Sequence, residues 1–402
     1  MPEPAPRTVA VVGTGVAGTT AALTLRKEGF EERIVLIGDE PHEPYRRPPL
    51  SKDLLRGDVP PERARLKPSS AWAEQGVELL TGTAVTGLDA SALHFADGSR
   101  LPCDRLLLAT GARPRTLPRA AGLDRVHTLR TLDDLPALRG DLASGGPLLV
   151  VGAGLVGLEV AATARQAGCE VTVLEAADRP LGRVLPPVLG RAVADLHRAN
   201  GVRVHTGVGL RSLARHGDTL VATGHDGTEW TAAAVLVAVG TVPETTLAER
   251  AGLAVADGIV VDRYGATGVP HVYAAGDVAR RPDPVLGGLH RVEQWNHAQE
   301  HGAAVAANML GGRRPFDAVP WGWTDQYGVV LQFCGHPAVG DDIAVDGDPG
   351  GFDFTAVVRR DGRPVGGVAA GRPAGFRALR GLVAEHSVAG HGLPAAAPAA
   401  AA

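Results

Sequence analysis

Cysteine is nearly absent: Cys103, Cys169 and Cys334 are the only three in 402 residues, and none stands in C-x-x-C or C-x4-C spacing. That excludes a zinc knot and a redox-active vicinal disulfide, and it suits a thiol-reducing, cytoplasmic setting. Lysine is as scarce: Lys27, Lys52 and Lys67 stand against 37 arginines. No run approaches the ~18 apolar residues of a membrane helix. Met1 to Arg7 holds three prolines and no apolar segment, so no signal peptide is expected. A dominant charge sign is missing too. The 40 basic and 44 acidic residues leave a net charge of -4, which provides no basic field for nucleic acid. The 14 histidines are scattered without H-E-x-x-H or other ligand spacing, so no metal site is expected.

Glycine, by contrast, is abundant. With 53 glycines, a bare G-x-G-x-x-G is expected about once by chance. The chain has two, each in context. Thr8-Val-Ala-Val-Val12 leads into Gly13-Thr-Gly15-Val-Ala-Gly18, then a helical stretch to about Gly29 and an apolar strand Ile34 to Ile37. Leu148-Leu-Val-Val151 leads into Gly152-Ala-Gly154-Leu-Val-Gly157, a helical stretch to Gly168 and a strand Val171 to Leu174 ending in Glu175. The echo continues in Gly76 to Gly82 with Gly201 to Gly207, and in Asp97-Gly98 with Asp226-Gly227. Offsets of 139, 125 and 129 residues indicate two similar domains in tandem.

An apolar run Val272 to Asp277 and a helical pattern from about Trp295 to Met309 follow. After Pro315, Trp321 to Phe333 and Phe352 to Ala370 read as short strands, with Asp361-Gly362 as a hairpin turn and Gly375 to Glu385 as a helix. These make a third, smaller α+β domain. The Ala-, Gly- and Pro-rich residues 389–402 read as a disordered tail.

Each glycine motif is followed by an acid: Asp39 lies 21 positions beyond Gly18, and Glu175 lies 18 beyond Gly157. The first glycine makes the tight turn, the second lets a pyrophosphate approach the backbone, and the third packs the helix on the strand. The acid hydrogen-bonds a ribose diol. Two dinucleotide sites with no substrate-sized catalytic domain between them imply that the two ligands react with each other, as a nicotinamide and a flavin do. Glu175 repels a 2'-phosphate, and Ala176 and Ala177 supply no arginine for one, so NADH is favoured over NADPH; Arg179 and Arg183 leave the preference incomplete.

More specific stretches carry a resemblance. Pro44-Tyr-Arg-Arg-Pro-Pro-Leu-Ser-Lys52, Ala109-Thr-Gly111, Leu129-Arg-Thr-Leu132, Ala274-Ala-Gly-Asp-Val278, Arg291-Val-Glu-Gln-Trp-Asn-His-Ala298 and Pro320-Trp-Gly-Trp-Thr-Asp-Gln-Tyr327 resemble the FAD-dependent pyridine-nucleotide oxidoreductases. The likeness is to the NADH-dependent ferredoxin reductases of bacterial cytochrome P450 and Rieske oxygenase systems, and it covers residues 8 to about 388. It implies two Rossmann-like, glutathione-reductase-like α/β domains and a C-terminal α+β interface domain. The FAD domain would be discontinuous, 1–110 and 241–316, with an NADH domain at 111–240 and the interface domain at 317–388.

By the same resemblance, Gly13, Gly15, Ala17, Gly18 and Asp39 would meet the adenosine and pyrophosphate end of FAD. Arg47 and Lys52 would lie along it, with Lys52 at the isoalloxazine. Val85 would hold the adenine, Ala109, Thr110 and Gly111 the backbone around it, Arg130 a phosphate and Asp277 the ribityl chain. Trp295, at a helix start, would lie by the pyrimidine edge, with Trp321 and Trp323 nearby. Gly152, Gly154, Val156, Gly157, Glu159, Glu175, Arg183 and Gly240 would serve NADH. Lys52 and Glu159 would form a catalytic ion pair beside the flavin.

The implied activity is hydride transfer from NADH to FAD, then single-electron transfer to a [2Fe-2S] ferredoxin, by a monomer or homodimer. A rubredoxin, quinone or O2 acceptor, or a slow flavin redox sensor, is the alternative. Ferredoxins are usually acidic, so Arg46-Arg47, Arg313-Arg314 and Arg359-Arg360 are docking candidates. The chain departs from the pattern at Arg46, Gly322 and Gly371, where the family usually has an acid, Phe and Asn. Those changes are expected where the partner would dock.

Overall fold

Val9 to Val12 form an unbroken apolar run, which suits a strand buried on both faces. In the computed structural model this run is the strand Thr8–Val12, at the centre of a five-stranded parallel sheet. Across the sheet the strands run Val272–Ala274, Arg105–Leu108, Thr8–Val12, Arg33–Ile37 and Val77–Leu80. The structure describes residues 6–387 apart from 90, 118, 119 and 121, so the tail expected over 389–402 lies outside the described residues. Alternate residues face two cores. Val9, Val11, Ile34 and Leu36 pack under the helix Val16–Lys27 on one face. Ala10, Val12, Val35 and Ile37 pack against Leu247, Leu253 and Ile259 on the other.

The second glycine motif repeats this construction. Its sheet is also parallel, in the order Arg203–Thr206, Val171–Glu175, Leu148–Val151, Ala234–Val237 and Val126–His127. Each parallel sheet is followed by a three-stranded antiparallel one, at Val85–Leu88, Ala92–Phe95 and Arg100–Pro102, and at Leu210–His216, Thr219–Gly224 and Glu229–Ala232. The tandem echo in the sequence is therefore structural.

The chain passes between the two units through an antiparallel pair, Ala112–Pro114 with Thr241–Pro243. On its return it supplies the edge strand Val272–Ala274 to the first sheet and the helix Trp295–Met309 beside the helix Val16–Lys27. Those helices touch closely enough that a Cβ at Gly302 would stand 2.2 Å from the Ala17 carbonyl oxygen, so glycine is required there.

The C-terminal unit is an antiparallel sheet in the order Trp321–Gln326, Val329–Gly335, Arg363–Ala370, Asp353–Arg360 and Asp342–Asp348, covered by the helix Pro373–Glu385. Tyr327-Gly328 and Asp361-Gly362 make the two tight turns, all four residues having positive φ as in a type I' hairpin. The helix begins two residues earlier than its apolar pattern suggests, because Pro373 is preset for the first helical turn. The strand Asp342–Asp348 has no legible signal. It is an edge strand, almost wholly exposed and carrying three aspartates, so it lacks the apolar alternation that marks a strand.

Candidate active site: a cleft at the strand ends

Gly13 follows Val12, Asp39 lies just past Ile37, Ala109 follows Leu108 and Ala275 follows Ala274. Each leaves the carboxyl end of a strand of the first sheet, where open α/β sheets bind their ligands. Together they open onto a single cleft. Gly15, Ala17, Arg47, Lys52, Thr110, Gly111, Arg130, Asp277 and Trp295 line it with Gly13, Asp39 and Ala109. From the second unit come Leu155, Val156 and Glu159, and from the C-terminal sheet Gly322, Trp323 and Phe333. All three units meet here.

Gly13 has φ +114°, and a Cβ on it would lie 2.1 Å from the Ala109 carbonyl oxygen. Gly18 is buried instead against the turn, where a Cβ would stand 1.9 Å from the Gly13 carbonyl oxygen. Around Gly15 nothing lies within 4 Å of an added Cβ, so the loop offers bare backbone to the cleft, at a helix start with no side-chain cap. A second uncapped helix start enters at Trp295, whose indole edge-stacks on Trp323 at 6.2 Å between centroids.

The charged lining is held tightly. Arg47 donates to Glu40 Oε1 at 2.6 Å, to the Arg130 carbonyl at 2.5 Å and to the Tyr45 hydroxyl at 3.1 Å. Burial, together with the hydrogen bond to Glu40, pushes the Tyr45 hydroxyl well above its ordinary value despite Arg47 beside it. Arg130 reaches across to Asp277 Oδ2 at 3.1 Å. Deeper in, Lys52 Nζ sits 2.5 Å from Glu159 Oε2, with their side chains 16% and 7% exposed. Ser51 Oγ donates to the same carboxylate oxygen at 2.5 Å, and Thr324 Oγ1 donates to the other at 2.7 Å. Two hydroxyls thus satisfy the carboxylate of a nearly buried ion pair, as its desolvation requires.

A family model for pyridine nucleotide-disulphide oxidoreductases matches residues 7–302, and a reductase C-terminal model matches 321–395. The chain belongs to the pyridine nucleotide-disulphide oxidoreductases. It is 40% identical to the ferredoxin–NAD(+) reductase component of the p-cumate 2,3-dioxygenase system of Pseudomonas putida, over 88% of this chain and 87% of that one. It is 37% identical to rhodocoxin reductase of Rhodococcus erythropolis, over 94% of this chain and 89% of that one. Among solved structures it matches the covalent putidaredoxin reductase–putidaredoxin complex with a TM-score of 0.91 and 35% identity, covering 95% of this chain and 94% of that one.

Oxidoreductases of this kind use FAD and NAD(H), and the cleft fits a flavin dinucleotide. Its lining includes buried polar atoms that no protein group satisfies: Arg130 Nε, Trp295 Nε1 and Gln294 Oε1. A ligand with phosphates and a polar ring edge supplies the partners such atoms require. In the oxidoreductase's second unit, Gly152 has φ +103° and packs on the Ala238 carbonyl as Gly13 packs on that of Ala109. Glu175 caps this loop, accepting from Ala153 N at 2.7 Å and Ala177 N at 2.8 Å. Arg183 lies beside Gly240, its Nη1 being 3.3 Å from where a Cβ there would stand. Of the residues assigned to NADH from sequence, Val156 and Glu159 reach the cleft, while Gly152, Gly154, Gly157, Glu175, Arg183 and Gly240 lie outside its lining.

Val85 lies outside the cleft lining, half-buried on the first unit's core beside Leu88 and Phe95. Two other sequence readings need correcting. Gly322 is no docking-surface change. It is buried, lines the cleft and pairs directly with Phe333, whose ring would lie 2.9 Å from a Cβ at 322. Phe333 occupies the space that a side chain at 322 would take. At Gly371 φ is +69°, a conformation that glycine and asparagine both tolerate, so the backbone accounts for that substitution. Arg46, Arg313 and Arg314 are exposed, as docking residues must be, and Arg360 is exposed beside a half-buried Arg359. Glu40, Tyr45, Ser51 and Thr324 also belong to the site. Tyr45 and Ser51 lay within the Pro44 to Lys52 stretch and Thr324 within the Pro320 to Tyr327 stretch, but only their contacts give them a role.

Among the described residues no helix is long and apolar enough to cross a membrane.

Proposed function

We propose that the protein is a cytoplasmic NADH:ferredoxin reductase, passing electrons from NADH through FAD to a [2Fe-2S] ferredoxin that serves a cytochrome P450 or a Rieske oxygenase. The observation that carries the reading is the meeting of Lys52 and Glu159 in the cleft, one from the first unit and one from the start of the second unit's helix, under aromatic cover from the C-terminal sheet. Relatives described as ferredoxin–NAD(+) reductase components and a match to a reductase joined to its ferredoxin support it. The proposed division is FAD domain 1–110 and 241–316, NADH domain 111–240 and interface domain 317–388.

Bound FAD supplies acceptance of a hydride from NADH and release of the two electrons one at a time. The chain's own part is electrostatic and positional. Gly15 and the uncapped start of the helix Val16–Lys27 present backbone N–H groups to a pyrophosphate, Gly13 and Gly18 shape the turn that leads into it, and Asp39 takes a ribose diol. Arg130 and Asp277 hold the middle of the dinucleotide. The start of the helix at Trp295 turns its positive end toward the ring, where negative charge develops on reduction. Lys52, balanced by Glu159, places a further cation there. Glu175 and the Gly152 loop seat NADH, and Val156 lies at the entry. Trp295 and Trp323 close the ring region against water.

The three cysteines are free and sit in separate parts of the fold, so no thiol pair stands between cofactor and acceptor. Electrons therefore leave directly for an external acceptor. Anaerobic mixing of FAD-loaded protein with NADH is expected to bleach the visible flavin band within the turnover time, with NADPH much slower. Bleaching far slower than turnover, or equal rates with both nucleotides, contradicts the proposal.

A further inference from the structure

Behind Glu159 runs a line of polar side chains that the reading above does not use. Thr324 Oγ1, which donates to Glu159 Oε1, accepts from Gln326 Nε2 at 2.9 Å. Gln326 Oε1 faces His197 Nε2 at 2.7 Å, and His197 Nδ1 faces the Tyr327 hydroxyl at 3.3 Å. Thr324, Gln326 and His197 are almost wholly buried, 2%, 4% and 0% exposed. Burial, which disfavours the charged form, holds the His197 ring below its ordinary pKa, against the pull of its bond to Gln326.

The sense of the line follows from its two ends. An ionised carboxylate only accepts, so the Thr324 hydroxyl must donate to it and can then only accept from Gln326. That turns the Gln326 amide oxygen toward His197, which must donate from Nε2 and accept from Tyr327 at Nδ1. Every donor points toward Glu159. The Gln326 amide has no readily exchanged proton to pass on, so the line orients groups and does not conduct protons. It also joins separate parts of the chain: His197 stands on the helix Pro187–Ala199 of the second unit, and Thr324 and Gln326 on the first strand of the C-terminal sheet.

We propose that Thr324, Gln326 and His197 are positioning residues for NADH oxidation. By fixing Glu159 Oε1 they keep Oε2 on Lys52 and Ser51, so the C-terminal sheet sets the geometry of the NADH step. The proposal rests on the reductase reading only in placing NADH oxidation at the Lys52–Glu159 pair. Thr324→Val removes the hydroxyl at nearly constant volume, and Thr324→Ser returns it. In FAD-loaded T324V, anaerobic reduction at saturating NADH is expected to slow by about tenfold or more, with the KM for NADH little changed and the rate restored in T324S. Reoxidation of dithionite-reduced T324V by ferricyanide is expected at the wild-type rate.

A second measurement needs no turnover. In 15N-histidine-labelled wild-type protein, with H197N identifying the signal, His197 is expected to be neutral with its proton on Nε2. A proton on Nδ1, or wild-type NADH reduction in T324V, overturns the proposal. Failure of the wild-type protein to be reduced by NADH would instead overturn the reductase reading itself.

Discussion

Lys52 Nζ and Glu159 Oε2 stand 2.5 Å apart, and each is the other's only oppositely charged partner within ion-pair distance among the described residues. Removing one strands the other in a nearly dry site. Lys52→Met is therefore expected to lower unfolding free energy by about 3 kcal/mol and to slow NADH-driven flavin reduction by about a hundredfold. Adding Glu159→Gln removes the stranded charge, so the double variant should regain most of the stability while remaining slow. Urea midpoints and anaerobic stopped flow read the two effects separately.

Glu175 spends one carboxylate oxygen on Ala153 N and the other on Ala177 N, which leaves lone pairs on both for a ribose diol. Glu175→Ala loses those charge-assisted bonds and the repulsion of a 2'-phosphate together. The KM for NADH is expected to rise about tenfold, since such bonds contribute roughly 1.5–3 kcal/mol, and NADPH should gain relative to NADH. Steady-state rates with both nucleotides measure this; an unchanged ratio of kcat/KM values would count against Glu175 as the selecting residue.

Asp283 lies where the first unit meets the C-terminal sheet. It accepts from Val285 N at 2.9 Å, Leu286 N at 2.8 Å and His336 Nε2 at 2.9 Å, with no exposed surface. Burial alone would raise its carboxyl, but His336, the Leu286 N–H and Arg281 outweigh it and hold the group well below the usual range. A lowered folded-state value means the stabilisation is complete above the unfolded pKa of about 4 and is lost as pH falls through that value toward the folded one. The Tm should fall steeply below about pH 4, and Asp283→Asn should be less stable near neutrality with a flatter acid limb. Calorimetry across that range checks both.

The cysteines should be silent. Burial, then Asp104 and Asp89, pushes the Cys103 thiol up to about 11, and burial pushes Cys334 up to about 12. Cys169 is likewise raised by burial. Thiols so protonated are poor nucleophiles near neutral pH. A triple Cys→Ala variant is expected to keep wild-type turnover, and iodoacetamide should leave the native enzyme active. Loss of turnover in either case would place a thiol in the electron path.

The two dinucleotide units were legible because each packs a strand, a glycine turn, a helix and an acid into about 30 residues of local pattern. The line from Glu159 to Thr324, Gln326 and His197 was not. Its members come from distant segments and are ordinary polar residues in their own neighbourhoods. Gly322 shows the same limit from the other side. Against a family pattern it reads as a loss, and only the cross-strand register reveals Phe333 in the space. Asp342–Asp348 escaped notice because an exposed edge strand needs no apolar face.

The most direct test of ferredoxin reduction is the NADH-dependent rate of cytochrome c reduction by FAD-loaded protein, with and without an added [2Fe-2S] ferredoxin, alongside O2 consumption. The expected result is rapid reduction only when ferredoxin is present, with slow O2 uptake throughout. Turnover with O2 alone as fast as turnover with ferredoxin would contradict it.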